Sequence, residues 1–128
     1  ETPEQASILV IDDDEQVRSL LAQALVRSGY QVMLAADGKE GCRAADENPV
    51  DLVITDLVMP EREGLETVQY LRKKHAEIPV LAISGAFGGD FLKVAQRLGA
   101  DEALQKPIDA QTLLQAVRRL LSAATVQG

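Results

Sequence analysis

Ile-Leu-Val-Ile at residues 8–11, followed at once by Asp12-Asp13-Asp14-Glu15, is the stretch that decides the fold. Four consecutive apolar residues show no alternation, which suits a strand covered on both faces. The run stops abruptly at these four acids. A helical pattern then takes over, with Val17, Leu20, Leu21, Ala24 and Leu25 at i, i+3, i+4, i+7 and i+8. Gly29 stands where a glycine would end that helix.

The same alternation runs outward along the chain. Gln31–Ala35 reads as a strand, and Gly38–Glu47 as a weak helix with Gly41 inside it, before Asn48-Pro49 breaks the chain. Leu52–Ile54 is the next buried strand and ends at Asp56; Met59-Pro60 opens a loop; Leu65, Val68 and Leu71 mark a third helix. Pro79–Ser84 is a strand, Gly85–Gly89 a glycine-rich loop, and Phe91, Val94, Ala95 and Leu98 a fourth helix ending near Gly99. Glu102–Gln105 makes a short strand before Lys106-Pro107, and Leu113, Leu114, Val117, Leu120 and Leu121 give a last helix. Five strands alternating with five helices predict an α/β domain, a parallel sheet with helices on both faces.

Composition narrows the function. The chain has 128 residues, 46% hydrophobic and 26% charged, which fits one globular domain. A net charge of −7 makes it a poor partner for nucleic acid or anionic lipid. No apolar run reaches the roughly 20 residues of a membrane span, and no start resembles a signal peptide. The single Cys42 allows neither an intramolecular disulfide nor a cysteine metal cluster; it reads as a small core residue in a reducing, cytoplasmic setting. The chain starts at Glu1 rather than Met, as expected of a piece of a longer protein. Residues 1–6 read as a loose or artificial N-terminal end, 7–122 as the domain, and 123–128 as a tail or the start of a linker. Arg72-Lys73-Lys74 closes a helix whose dipole favours cations there, and His75 beyond it reads as solvated, not as a phosphorelay histidine.

In open parallel sheets, ligands bind beyond the carboxyl ends of the strands. Asp12-Asp13, Asp56, Ser84 and Lys106 all fall there. Uncompensated carboxylates repel one another, and a hard divalent cation removes the conflict. Mg²⁺ takes oxygen ligands and leaves room for a phosphate oxygen, while Lys106 and Ser84 add an ammonium and a hydroxyl. This is equipment for holding a phosphoryl group, with an Asp as nucleophile. Asp14 and Glu15 read as helix N-terminal acids, and Asp13 with Gln16 could form a capping-box-like pair.

With these residues in view, the chain resembles a response-regulator receiver domain (the CheY-like superfamily of two-component signal transduction) over residues 7–121. The resemblance rests on ILVIDDDEQVR at 8–18, DLVITDLVMPEREGLE at 51–66, IPVLAISG at 78–85 and LGADEALQKP at 98–107. It implies a flavodoxin-like (βα)5 fold with strand order 2-1-3-4-5. It further implies that Asp56 is the phosphoacceptor and that Mg²⁺ is held by Asp13, Asp56 and the Val58 backbone carbonyl, with Asp12 bound through water. Ser84 would be the switch hydroxyl and Lys106 the lysine that pairs with acceptor and phosphate, in a Lys106-Pro107 step that is typically cis. The implied donor is a sensor histidine kinase or a histidine phosphotransfer protein. The implied output is a helix 4–strand 5–helix 5 face that meets an effector or a second copy.

Three departures from that pattern stand out. Ala103 takes a position often held by Tyr or Phe, so output must use backbone shifts or another side chain. Ile108 follows the Lys-Pro step where Phe is common. The loop at 85–89 is glycine-rich, and its Phe87 is either a partner contact or a tucked ring. Val58 and Ala86 beside the acceptor should affect phosphoryl lifetime. Rival readings fit less well. A haloacid-dehalogenase-like aspartyl-phosphate enzyme needs a second Asp where Val58 stands, and Val58 cannot move a proton. A flavodoxin-like cofactor binder or a dinucleotide site needs a Gly- or Ser-rich phosphate loop where four acids stand. A non-phosphorylated docking module remains the other alternative.

Overall fold

The computed structural model describes residues 6–57, 63–85 and 91–127. Its elements run β1 (Ser7–Ile11), α1 (Glu15–Arg27), β2 (Gln31–Ala35), α2 (Gly38–Glu47), β3 (Leu52–Asp56), α3 (Glu63–Lys74), β4 (Val80–Ser84), α4 (Phe91–Leu98), β5 (Glu102–Gln105) and α5 (Ala110–Gln127). The five strands form one parallel sheet in the order β2-β1-β3-β4-β5, as the resemblance implies. Met59, Pro60, Val58 and the loop residues Ala86 and Phe87 lie outside the described residues.

β1 explains the layering. All of Ile8, Leu9, Val10 and Ile11 are fully buried, which only a strand covered on both faces allows. Ile8 and Val10 pack with Leu21 and Leu25 of α1 and with Leu113, Ala116 and Val117 of α5. Leu9 and Ile11 pack with Ala45 of α2, Val68 and Leu71 of α3, and Ala95 of α4. Burying one such side chain contributes about 1.5–3 kcal/mol, so this one strand anchors both half-cores. Asp14 ends the run by capping α1, accepting the N–H groups of Gln16 at 2.9 Å and Val17 at 3.4 Å. Gly29 leaves α1 with φ +97°, a left-handed turn that suits glycine.

Polar ties hold the α2–α3–β4 side, and they revise two expectations. His75 is not simply solvated: its Nε2 lies 2.7 Å from Asp46 Oδ1, while Tyr70 donates to Asp46 Oδ2 at 2.6 Å. The Tyr70 bond, then the His75 bond, holds the Asp46 carboxyl below the usual carboxylate range. The same bond pushes Tyr70 up to about 12. Arg72 does more than end a helix; it donates to the Ile78 carbonyl and lies 3.6 Å from Asp101, which itself accepts the Val80 N–H at 2.8 Å. Cys42 is half-buried rather than in the core, and burial followed by the charge of Asp46 pushes its thiol up to about 11.

Gly41 sits where α2 crosses the end of β1. A Cβ there would lie 2.3 Å from Ile11 Cδ1 and 2.7 Å from Cγ1. Alanine would raise helix propensity by about 1 kcal/mol, while overpacking costs about 1–3 kcal/mol. Gly41→Ala should therefore lower stability in urea unfolding by about 1 kcal/mol, and adding Ile11→Val should recover part of that loss. A stabilised single variant would show that α2 sits farther from β1.

Candidate functional site

Strand ends build the site. β1 delivers Asp12 and Asp13, β3 delivers Asp56, β4 delivers Ser84, and β5 leads into Lys106. Asp12, Asp56 and Ser84 are all buried, whereas Asp13 is exposed and Lys106 partly so. The sheet ladder fixes their heights. Asp56 pairs in register with Ile83, and Ser84 with Gln105. The ladder continues one step beyond the strands, since Leu57 N–H donates to Ile83 O at 3.0 Å and Lys106 N–H to Ser84 O at 2.8 Å. The Lys106-Pro107 bond is cis.

Oxygens of Asp12, Asp13 and Asp56 come within 4.8 Å of one another. Lys106 Nζ lies 3.1 Å from Asp12 Oδ2 and 3.1 Å from Asp56 Oδ2, so one ammonium faces two buried carboxylates. Its bond to Asp56 has good hydrogen-bond geometry. Asp12 Oδ2 is buried and accepts no well-aligned hydrogen bond; the ammonium answers its charge by proximity. Burial is the largest single influence on Lys106 and pulls its pKa down, but the hydrogen bond to Asp56 and the nearby charges of Asp56 and Asp12 together raise it above the ordinary value.

Three carboxylates against one ammonium leave net negative charge in a cleft of hard oxygen donors. That donor set fits a divalent cation such as Mg²⁺, which prefers oxygen ligands and relieves their repulsion. The buried Asp12 oxygen without an aligned donor points the same way. Cysteine and histidine play no part in the cluster. The expected Val58 carbonyl lies outside the described residues. Asp14 is the α1 cap rather than a member of the cluster. Ala103, flanking the site on β5, packs against the α3–α4 side of the core. Sequence reading missed Arg18, whose Nη1 donates to the Asp12 carbonyl at 2.7 Å; nothing in helical periodicity marks such a bond.

Residues 8–118 match the family model described as the response regulator receiver domain. The alkaline phosphatase synthesis transcriptional regulatory protein PhoP of Bacillus subtilis is 36% identical over 115 residues, covering 89% of this chain and 48% of that protein. The transcriptional regulatory protein CpxR of Escherichia coli K12 is 35% identical over 115 residues, with the same coverages of 89% and 48%. The chain thus spans about half the length of these curated relatives. Among solved structures, chemotaxis protein CheY4 of Vibrio cholerae superposes with a TM-score of 0.84 at 30% identity, covering 91% of this chain and 99% of that one.

Removing the shared cation tests its weight. In metal-free buffer, Lys106→Met leaves two buried carboxylates facing each other and should cost about 1–3 kcal/mol in denaturant unfolding at neutral pH. Because the folded-state pKa of Lys106 is raised, its contribution is complete below the unfolded lysine pKa of about 10.4 and is lost as pH rises through the higher folded value. On the alkaline side of neutrality, the gap between variant and wild type should therefore close only in that range. A gap that closes near neutrality would contradict the pairing.

Proposed function

Since the chain belongs to the response regulator receiver domain family of two-component signalling, we propose that it accepts a phosphoryl group on Asp56 and thereby switches a partner-binding face. The observation that carries this reading is the Lys106 ammonium 3.1 Å from both Asp12 and Asp56, at the ends of parallel strands. Asp56 is the one acid of the cluster that is at once buried, at the end of a central strand and bonded to the lysine.

In this reading Asp13, Asp56 and the Val58 carbonyl would hold Mg²⁺, and Asp12 would reach it through water. When bound, Mg²⁺ neutralises charge on the phosphoryl oxygens. A carboxylate oxygen of Asp56 attacks phosphorus in line, forming a P–O bond as the P–N bond of a donor phosphohistidine breaks. The electron pair leaves with the imidazole, which takes a proton from solvent. Lys106 and the Ser84 hydroxyl stabilise the transferred oxygens. Water later attacks the acyl phosphate, releasing inorganic phosphate and restoring Asp56. The protein is therefore a self-limited switch and not a turnover enzyme.

The donor is a sensor histidine kinase or a histidine phosphotransfer protein in the cytoplasm. The domain is residues 7–122, and its output face is α4–β5–α5, which meets an effector or a second copy. With Ala103 in place of an aromatic ring, the switch works through backbone shifts or another side chain. The net charge of −7 argues against direct nucleic acid binding by this domain. A haloacid-dehalogenase-like reaction is disfavoured because Val58 cannot act as the acid or base.

Intact mass after incubation with acetyl phosphate and Mg²⁺ tests the chemistry, run beside Asp56→Asn. Wild type should gain one phosphoryl group, and the gain should vanish with a chelator or in the variant. A folded protein that binds Mg²⁺ yet gains no mass from this donor or from a phosphohistidine protein would instead be a docking module. Modification that persists in Asp56→Asn would move the acceptor elsewhere.

A further inference from the structure

Arg18 lies on α1, outside the acid cluster, and the mechanism above gives it no part. Its guanidinium nevertheless reaches back to the Asp12 carbonyl at 2.7 Å in a partly buried setting. That carbonyl belongs to the peptide that joins Asp12 to Asp13. The flanking groups are also tied: Asp12 N–H donates to Ala35 O at 3.2 Å, and Asp14 N–H donates to Asp12 Oδ1 at 2.8 Å. Asp14 then caps the helix that carries Arg18. The turn is thus a closed ring of contacts from strand end to cap to helix and back.

A peptide unit is rigid and planar, so fixing its carbonyl fixes the direction in which the chain enters Asp13. Were the plane to rotate, the Asp13 carboxylate would swing relative to Asp12 and Asp56. Asp13 is the exposed member of the cluster, so packing does little to hold it. A bond from a charged donor is the stronger kind and suits that task.

We infer that Arg18 is a positioning residue: by gripping the Asp12 carbonyl it orients the Asp12–Asp13 pair for a divalent cation and so sets the metal affinity of the site. This rests on the receiver chemistry proposed above. Arg18 acts on a bound cation in two opposite ways. As a nearby positive charge it repels the metal; as an orienting donor it favours it. Outer partners of metal ligands commonly contribute about tenfold or more to affinity. Orientation therefore outweighs the screened repulsion of one partly exposed cation.

The sign of that balance makes the test decisive. Arg18→Met keeps the apolar stem but removes donor and charge; Arg18→Lys keeps the charge and one donor. Mg²⁺ affinity is read by titration of backbone amide resonances, and amide hydrogen exchange at Asp13 and Asp14 is read without metal. Arg18→Met should bind Mg²⁺ about tenfold more weakly and exchange those amides faster, and Arg18→Lys should recover most of both. Saturating Mg²⁺ should restore phosphorylation of the Met variant toward the wild-type rate. Where the Met variant does not fold, Arg18→Gln, a good helix former too short to reach the carbonyl, should show the same loss. Unchanged or tighter Mg²⁺ binding in the folded variant overturns the inference while leaving the receiver chemistry intact. A wild-type chain that binds no Mg²⁺ overturns both.

Discussion

Two buried carboxylates and a single ammonium share the carboxyl edge of the sheet, and the surrounding architecture answers to that crowding. Asp12 and Asp56 come from adjacent strands, β1 and β3, whose ladder sets their spacing. Like charges so placed repel, and a low-dielectric surrounding strengthens the repulsion. Lys106 offsets it from the β5 end, 3.1 Å from each. The balance is incomplete, since Asp13 adds a third carboxylate. A donor set left short of positive charge suits a hard cation.

The sheet makes this tolerable. Residues of β1, β3 and β4 are buried on both faces, so the strand ends cannot splay to relieve the repulsion. Helices α1 and α5 cover one face, and α2, α3 and α4 the other. Close packing transmits any local shift to its neighbours. The two half-cores meet at β1, which places Asp12 at the junction of both layers.

Much of this was legible in the sequence because strong local signals coincide. Unbroken apolar runs at Ile8–Ile11 and Leu52–Ile54 mark doubly covered strands, and the acids after them mark the edge where the carboxylates gather. The bounds of β2, α2 and β5 follow the sequence reading residue for residue. Long side-chain ties were not legible. Arg18 to the Asp12 carbonyl, Asp46 to Tyr70 and His75, and Arg72 to the Ile78 carbonyl join residues whose pairing depends on helix placement and side-chain reach. Exposed acids and bases look alike in a sequence; only packing decides which of them fold inward. The steric role of Gly41 was hidden for a related reason. A glycine inside a helical pattern signals weakness, whereas here it makes room for Ile11.

The tie between Asp46 and Tyr70 also gives the molecule a built-in optical reporter. The chain has no tryptophan and two tyrosines, so its near-ultraviolet absorbance and emission come chiefly from Tyr30 and Tyr70. Tyr30 is sealed in the core on the α1–α5 side. Tyr70 donates to a carboxylate at the α2–α3 junction, and its ionisation is deferred to about 12. Light absorbed by Tyr70 therefore senses whether those two helices remain joined. A downward move of the Tyr70 phenolate transition from about 12 would announce their separation.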